Sequence, residues 1–250
     1  MLGVSPALAA PIVARLRGKG LLFSPTRGHY VPIPPEYRAW GGTVPASHFI
    51  DQFMASMAHP YYVGLLSAAE VYGVAHQHPQ VFQVVTDARL RGRSFGRVRL
   101  EFITSARVGE RPTRQVNTPT GTMRVSTPEV TALDLVTWPE HGGGLSNACT
   151  VLVEMLEATH DCEPGAIDIE LLATAALGYP IAVRQRLGWL LEFAGSRRGE
   201  PAVGLDLGPL RATIVGRSVP ARLNPALPRR GAAYDESWNL FVNTTVEPDL

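Results

Sequence analysis

The apolar positions keep two different rhythms along the chain. From Ala7 to Arg17, residues Leu8, Ile12, Val13 and Leu16 recur at helical spacing. The Ser5-Pro6 pair favours a helix start there, and Gly18 and Gly20 close the segment. Leu21-Leu22-Phe23 and His29-Tyr30-Val31-Pro32-Ile33 then read as two short strands around a Pro25-Thr26-Arg27-Gly28 turn. A helix running straight into such a hairpin has the order of the second half of a winged helix. Met1 to Val4 supply only the tail of any preceding helix, so the expectation is a truncated winged helix-turn-helix over residues 1–40 that lacks its first helices. Pro11 is out of place in its helix. It has no N–H, and its ring crowds the carbonyl of Ala7, at about 3 kcal/mol in a regular helix. Residues 36–45 read as a linker.

A larger region, residues 45–250, mixes both rhythms. Ser47 to Ala58 carries the helical stripe Phe49, Ile50, Phe53, Met54 and Met57, and Tyr61 to Tyr72 continues as an apolar helical segment. Val81 to Thr86 is rich in β-branched residues and predicts a strand. Arg97 to Thr104 alternates, with Val98, Leu100 and Phe102 on one face and Arg97, Arg99 and Glu101 on the other. These two strands are expected to form a hairpin with an Arg-rich loop between them. Gln115 to Ser126 adds one or two short strands about Thr120-Gly121. Four helices are predicted at Thr127–Val136, Leu145–Ala158, Pro164–Ala176 and Pro180–Ala194, and a last strand at Trp238–Val242. The predicted class is α+β, a winged piece followed by a larger mixed sheet-and-helix domain.

Composition changes this picture little. In 250 residues, 45% hydrophobic and 18% charged, a core can form without disulfides or metals. The charge distribution says more than the net charge of +1. Arg15, Arg17, Lys19, Arg27 and Arg38 face Glu36 alone in the first forty residues, and Arg89 to Arg114 is a second basic run. Between Arg124 and Arg184 there is no Lys or Arg, while Glu129, Asp134, Glu154, Glu157 and other acids accumulate. Segregated charge suits a polyanion at one place and a basic partner at another; the plain alternative is solvated surface. Cys149 and Cys162 are lone cysteines outside any CxxC pair and are read as reduced thiols of a cytoplasmic protein. The chain shows neither a secretory leader nor an apolar run near 18 residues, so no membrane partner is expected.

The candidate chemistry follows the arginines. Arg15, Arg17, Lys19, Arg27 and His29, at the end of the first helix and on the wing, are candidate DNA contacts through phosphate neutralisation. Ala7 to Ile12 offers no Asn, Gln or Arg to read a base edge. Arg89, Arg91, Arg93, Arg97 and Arg99 are a candidate second phosphate patch or protein contact, with a solvated hairpin as the alternative. Ser126 and Glu129 are spaced as a capping box for the helix after them, a structural role. His76 and His78, with His59 and Glu70, lack the further ligand a metal site needs. Glu70, Asp87 and Glu101 invite comparison with metal-dependent nucleases, but Arg99, which cannot deprotonate, stands where such sites place a Lys. Walker, GxSxG and HExxH motifs do not occur, and the chain is read as non-enzymatic.

Six segments together resemble the AbiEi family, antitoxins of type IV toxin–antitoxin (abortive infection) systems. They are KGLLFSPTRGHYVPIPPE (Lys19 to Glu36), YYVGLLSAAEVYGVAHQHPQVFQVVT (Tyr61 to Thr86), GRVRLEFI (Gly96 to Ile103), NTPTGTMRVSTPEVTALDLV (Asn117 to Val136), IAVRQRLGWLLE (Ile181 to Glu192) and WNLFVNTTVEPDL (Trp238 to Leu250). The resemblance implies an N-terminal winged helix that binds inverted repeats in the promoter and represses the operon. It also implies a C-terminal domain that counters a cognate toxin of nucleotidyltransferase fold, by direct contact or otherwise. It brings no cofactor and no catalytic residues. A stand-alone winged-helix repressor and a metal-dependent nuclease are the alternatives. The missing first helices and Pro11 depart from the family pattern and bear on promoter binding.

Overall fold

The computed structural model describes residues 6–26, 28–38, 42, 44–75, 80–160, 163–197, 205–214, 216 and 219–249. In chain order the elements are α1 (Pro6–Gly18), β1 (Leu22–Thr26), β2 (His29–Pro32), α2 (Pro35–Arg38), α3 (Ile50–Ser56), β3 (Tyr61–Val63), α4 (Leu65–Val71), β4 (Phe82–Thr86), β5 (Arg93–Phe95) and β6 (Val98–Thr104). They continue with β7 (Thr113–Thr118), β8 (Gly121–Ser126), α5 (Pro128–Thr137), α6 (Gly144–His160), α7 (Ile169–Ala176), α8 (Ile181–Arg197), α9 (Gly208–Ala212), β9 (Ala221–Arg222), β10 (Ala233–Asp235) and β11 (Leu240–Val242). The mixture of helices and sheets is the expected α+β class. Helix α1 runs unbroken through Pro11.

The strands form a β1-β2 ribbon, a three-stranded sheet ordered β10-β11-β9, and a six-stranded sheet ordered β5-β6-β4-β3-β8-β7. The chain divides into two compact units. One holds residues 1–62, 80–108 and 115–124; the other holds residues 63–79, 109–114 and 125–250. The division is thus discontinuous in sequence, and the stretch beyond residue 45 contributes to both units. In the first unit Phe49, Ile50, Phe53, Met54, Val84, Val85 and Leu100 are buried. The second unit is built on α5, of which Pro128 to Val136 are all buried. Among the described residues no helix is long and apolar enough to cross a membrane.

Four local expectations are corrected. Tyr61-Tyr62-Val63 is a fully buried strand rather than the start of a helix, and α4 begins only after the extended Gly64. Two aromatics and a β-branched residue favour extended backbone, and an apolar run alone does not tell strand from helix. Strands β4 and β6 do not form a hairpin. They pair parallel, from Phe82 opposite Leu100 to Thr86 opposite Thr104. A parallel pair needs a crossover rather than a tight turn, and the Arg-rich stretch supplies it. Part of that stretch becomes β5, which pairs antiparallel with β6.

The third correction concerns the cap of α5. Its N-cap is Thr127, whose side chain accepts from Val130 N–H. The Ser126 hydroxyl turns instead to Thr131 Oγ1 at 2.7 Å and to the Val63 carbonyl at 3.3 Å. Glu129 is buried and accepts from Asp168 N–H at 3.2 Å, so it braces the start of the next-but-one helix rather than closing a capping box. Lastly, α7 starts at Ile169 and not near Pro164. Asp168 caps it by accepting from the N–H groups of Glu170 and Leu171 at 2.9 and 3.0 Å, while Ile167 N–H is held by Thr159 Oγ1 at 2.8 Å.

Candidate nucleic-acid interface

The first unit gathers the N-terminal basic stretch and the second run as far as Arg107, while Arg111 and Arg114 fall in the other unit. Helix α1 ends on Arg15 and Arg17, both exposed, and Lys19 follows at the surface. Cations in a last helical turn also suit the helix dipole, so their place has a structural benefit whatever they bind. Gly20, at φ 65°, stops the helix where L side chains are disfavoured, and Leu21 N–H closes onto the Leu16 carbonyl at 2.9 Å. Strands β1 and β2 then pair antiparallel, with Phe23 opposite Val31 and Thr26 opposite His29. His29 is half-buried. Arg27, expected at the tip of this ribbon, lies outside the described residues, as do His76 and His78.

The second stretch is a hairpin. Arg93, Ser94 and Phe95 of β5 face Leu100, Arg99 and Val98 of β6, which leaves Gly96 and Arg97 as the turn. Gly96 takes φ 58°, the conformation a two-residue hairpin turn demands. Arg89, Arg91, Arg93, Arg97 and Arg99 are all exposed. The Arg93 guanidinium stands 5.4 Å from the Phe53 ring centroid, and a shallow cleft of about 560 Å³ runs along Arg89, Arg91 and Arg93.

What joins the two stretches is aromatic. Phe23 of β1 meets Phe49 at 5.0 Å and Phe95 at 5.8 Å between ring centroids, and Phe49 meets Phe95 edge-on at 5.7 Å. Phe53 extends the cluster to Phe95 at 6.4 Å and to Phe102 at 6.3 Å. Such pairs add roughly 0.5–1.5 kcal/mol each beyond their burial. They fix the ribbon against the Arg-rich hairpin. A cleft of about 590 Å³ opens beside them, lined by Arg17, Phe23, Ser24, Phe95 and Gly96 among others. The end of α1 and the tip of the hairpin therefore share one recess. The sequence pattern had marked Phe49 and Phe53 as a helix stripe but gave no sign that Phe23 and Phe95 would join them.

The acids of the nuclease comparison are otherwise engaged. Asp87 pairs with His59 Nδ1 at 2.9 Å, and Glu101 accepts from Gln83 Nε2 at 3.1 Å. Among the described residues no group of three or more His, Cys, Asp or Glu is placed to hold a metal ion.

Residues 62–193, just over half of the chain, match the model of the AbiEi antitoxin C-terminal domain. The chain belongs to the AbiEi antitoxin family. In this AbiEi protein the matched span runs through the Arg-rich hairpin, α4, α5, α6 and most of α8, while α1, the β1-β2 ribbon and α3 precede it. Among solved structures it is similar to the RV2827C protein from Mycobacterium tuberculosis, with a TM-score of 0.60 at 18% identity over 96% of this chain and 80% of that one. That likeness concerns the fold. No curated protein matches the chain with significance. The family gives the AbiEi chain a role in a toxin–antitoxin pair.

Proposed function

We propose that this AbiEi chain is a cytoplasmic antitoxin that counters a toxin of nucleotidyltransferase fold and represses its own operon by gripping promoter inverted repeats. Residues 1–40 supply the winged-helix piece for DNA, and residues 45–250 carry the antitoxin function. The antitoxin half of the reading is supported by the family match. The DNA half is supported by one observation above others: Arg17 at the end of α1 and the turn of the Arg-rich hairpin border the same recess, locked by Phe23, Phe49 and Phe95. Arg15, Arg17, Lys19, Arg27 and His29 would then meet one stretch of phosphates. Arg89, Arg91, Arg93, Arg97 and Arg99 would continue the same basic surface. Backbone gripping of this kind positions the protein, and the apolar face of α1 reads few bases.

Two measurements test the reading. Co-expression with the toxin gene should restore growth; arrest that persists with intact antitoxin present would overturn the antitoxin role. Promoter DNA binding should be followed against salt concentration. Arg17→Ala and Arg91→Ala are each expected to weaken binding to all sequences alike and to lower the slope of log K on log salt by about one. An unchanged slope in both would remove the proposed surface.

A further inference from the structure

The second unit holds a cleft of about 490 Å³ between the loop that carries Arg111 and helix α7. Arg111 is its most unusual member. Its guanidinium carbon lies 3.5 Å from the centroid of the Tyr179 ring, and Tyr179 donates its hydroxyl proton to Asp134 Oδ1 at 2.6 Å. Gly178 makes the seat: a Cβ there would stand 2.5 Å from a terminal nitrogen of Arg111. Arg111 Nε is buried and finds no hydrogen-bond acceptor among the described residues. A guanidinium stacked on a ring, with its Nε dehydrated and short of an acceptor, is set up for a carboxylate, which answers its planar fork of donors.

The rest of the lining narrows the choice of ligand. Arg114, Thr113, Thr127 and Thr174 add donors, and Glu110 and Glu129 stand against them. A lining with two arginines and two glutamates suits a single negative charge better than a phosphate dianion. The lip is apolar. Leu171 lines the cleft and is 56% exposed, and Leu177, just past the end of α7, is 60% exposed. Exposed leucines beside a polar recess suit a protein partner more than a small solute.

We propose that this cleft takes a segment of a partner protein that presents a carboxylate beside an apolar side chain, with Arg111 holding the carboxylate and Leu171 covering the apolar group. Naming the toxin as that partner rests on the antitoxin reading; the chemistry of the site does not.

The test uses the full chain and small probes. N-acetyl-leucine supplies a terminal carboxylate, and N-acetyl-aspartyl-leucinamide supplies a side-chain one. Leucinamide and inorganic phosphate are the controls. Titrations followed by amide NMR should show saturable shifts for Arg111, Arg114, Leu171 and Gly178 with at least one carboxylate probe at millimolar concentration, and none with leucinamide. The stronger of the two carboxylate probes tells a chain terminus from a side chain. Arg111→Gln and the surface change Leu171→Ser should each weaken binding about tenfold. Leu171→Ser keeps the test valid should Arg111→Gln fail to fold. Absence of saturable shifts, equal binding of phosphate, or full affinity in Leu171→Ser overturns the proposal. Growth rescue without probe binding removes this site and leaves the antitoxin role; probe binding without rescue does the reverse.

Discussion

The indole of Trp238 occupies the volume that a side chain at Gly188 would need. Helix α8 has no Cβ at that position, and a Cβ built there would collide with Cζ3, Cε3 and Cη2 of the tryptophan ring. Trp238 is fully buried, its Nε1–H donates to Glu192 one turn further along α8, and the Arg211 guanidinium stands 4.8 Å from its ring centroid. A glycine inside a helix normally weakens it by up to about 1 kcal/mol relative to Ala. Here the deficit is offset by the packing of a whole indole. Gly188→Ala should therefore destabilise the protein, by roughly 1–3 kcal/mol or more, although it raises helix propensity. Urea unfolding checks this. A variant as stable as the parent would show that the close approach is not required.

The two partners of that contact were legible to different degrees. The strand after Trp238 and the helix around Gly188 both follow from periodicity, but their meeting does not, because nothing in either segment encodes a distant neighbour. The same limit explains β6. Its alternation of Val98 and Leu100 with Arg99 and Glu101 was readable, whereas its parallel partner depended on how long the connection from β4 needed to be. Arg111 and Tyr179 are a third case. Neither stands out in the sequence, and their stacking depends on Gly178, where a Cβ would crowd the Arg111 guanidinium. The charge segregation, by contrast, is plain in the sequence, and the structure leaves Arg15, Arg17, Lys19 and the arginines from Arg89 to Arg99 at the surface of one unit.

The capping motif yields a second prediction, since sequence and structure assign it differently. Ser126 looks like the cap, but its hydroxyl serves the buried Thr131 and Val63 instead. Thr127 is the actual cap, over a long 3.4 Å contact to Val130 N–H. Ser126→Ala should cost about 1–3 kcal/mol, because it leaves buried polar groups short of a partner. Thr127→Ala should cost less, about 1 kcal/mol or under. Thermal unfolding of the two variants under one buffer ranks them, and the reverse order would return the capping role to Ser126.

Acid sensitivity of the first unit should have a contribution from His48. It is 7% exposed, packs edge-on to Tyr37 at 5.5 Å, and burial lowers its pKa below 6.5, with Glu36 opposing. The unfolded chain therefore takes up a proton at this site before the native one does. Its effect on stability is fully favourable to folding above pH 6.5 and is lost as pH falls through the lowered native value. His48→Gln removes that proton uptake, so its stability should decline less steeply than the parent's on acidification below about pH 6.5. Denaturant midpoints measured at several pH values decide the point; parallel curves would exclude His48 as the origin.

Cys149 offers the most direct probe of the second unit's core. The thiol sits fully buried on α6 without a disulfide partner, and burial pushes its pKa up from 9.0 to about 11. The thiolate is the form that alkylates, and a pKa near 11 leaves it on the order of one molecule in a thousand at about pH 8. Burial also denies reagent access, so the two effects act in the same direction. Iodoacetamide should label Cys149 slowly in the native protein, and rapidly once guanidinium opens the fold. Labelling is followed at this residue by mass spectrometry of its peptide. Native labelling should then report the opening of α6 against α8 rather than reactivity of the thiol itself, and variants that weaken the Gly188–Trp238 contact should accelerate it. If Cys149 reacts as fast in the native protein as in guanidinium, α6 does not pack as described.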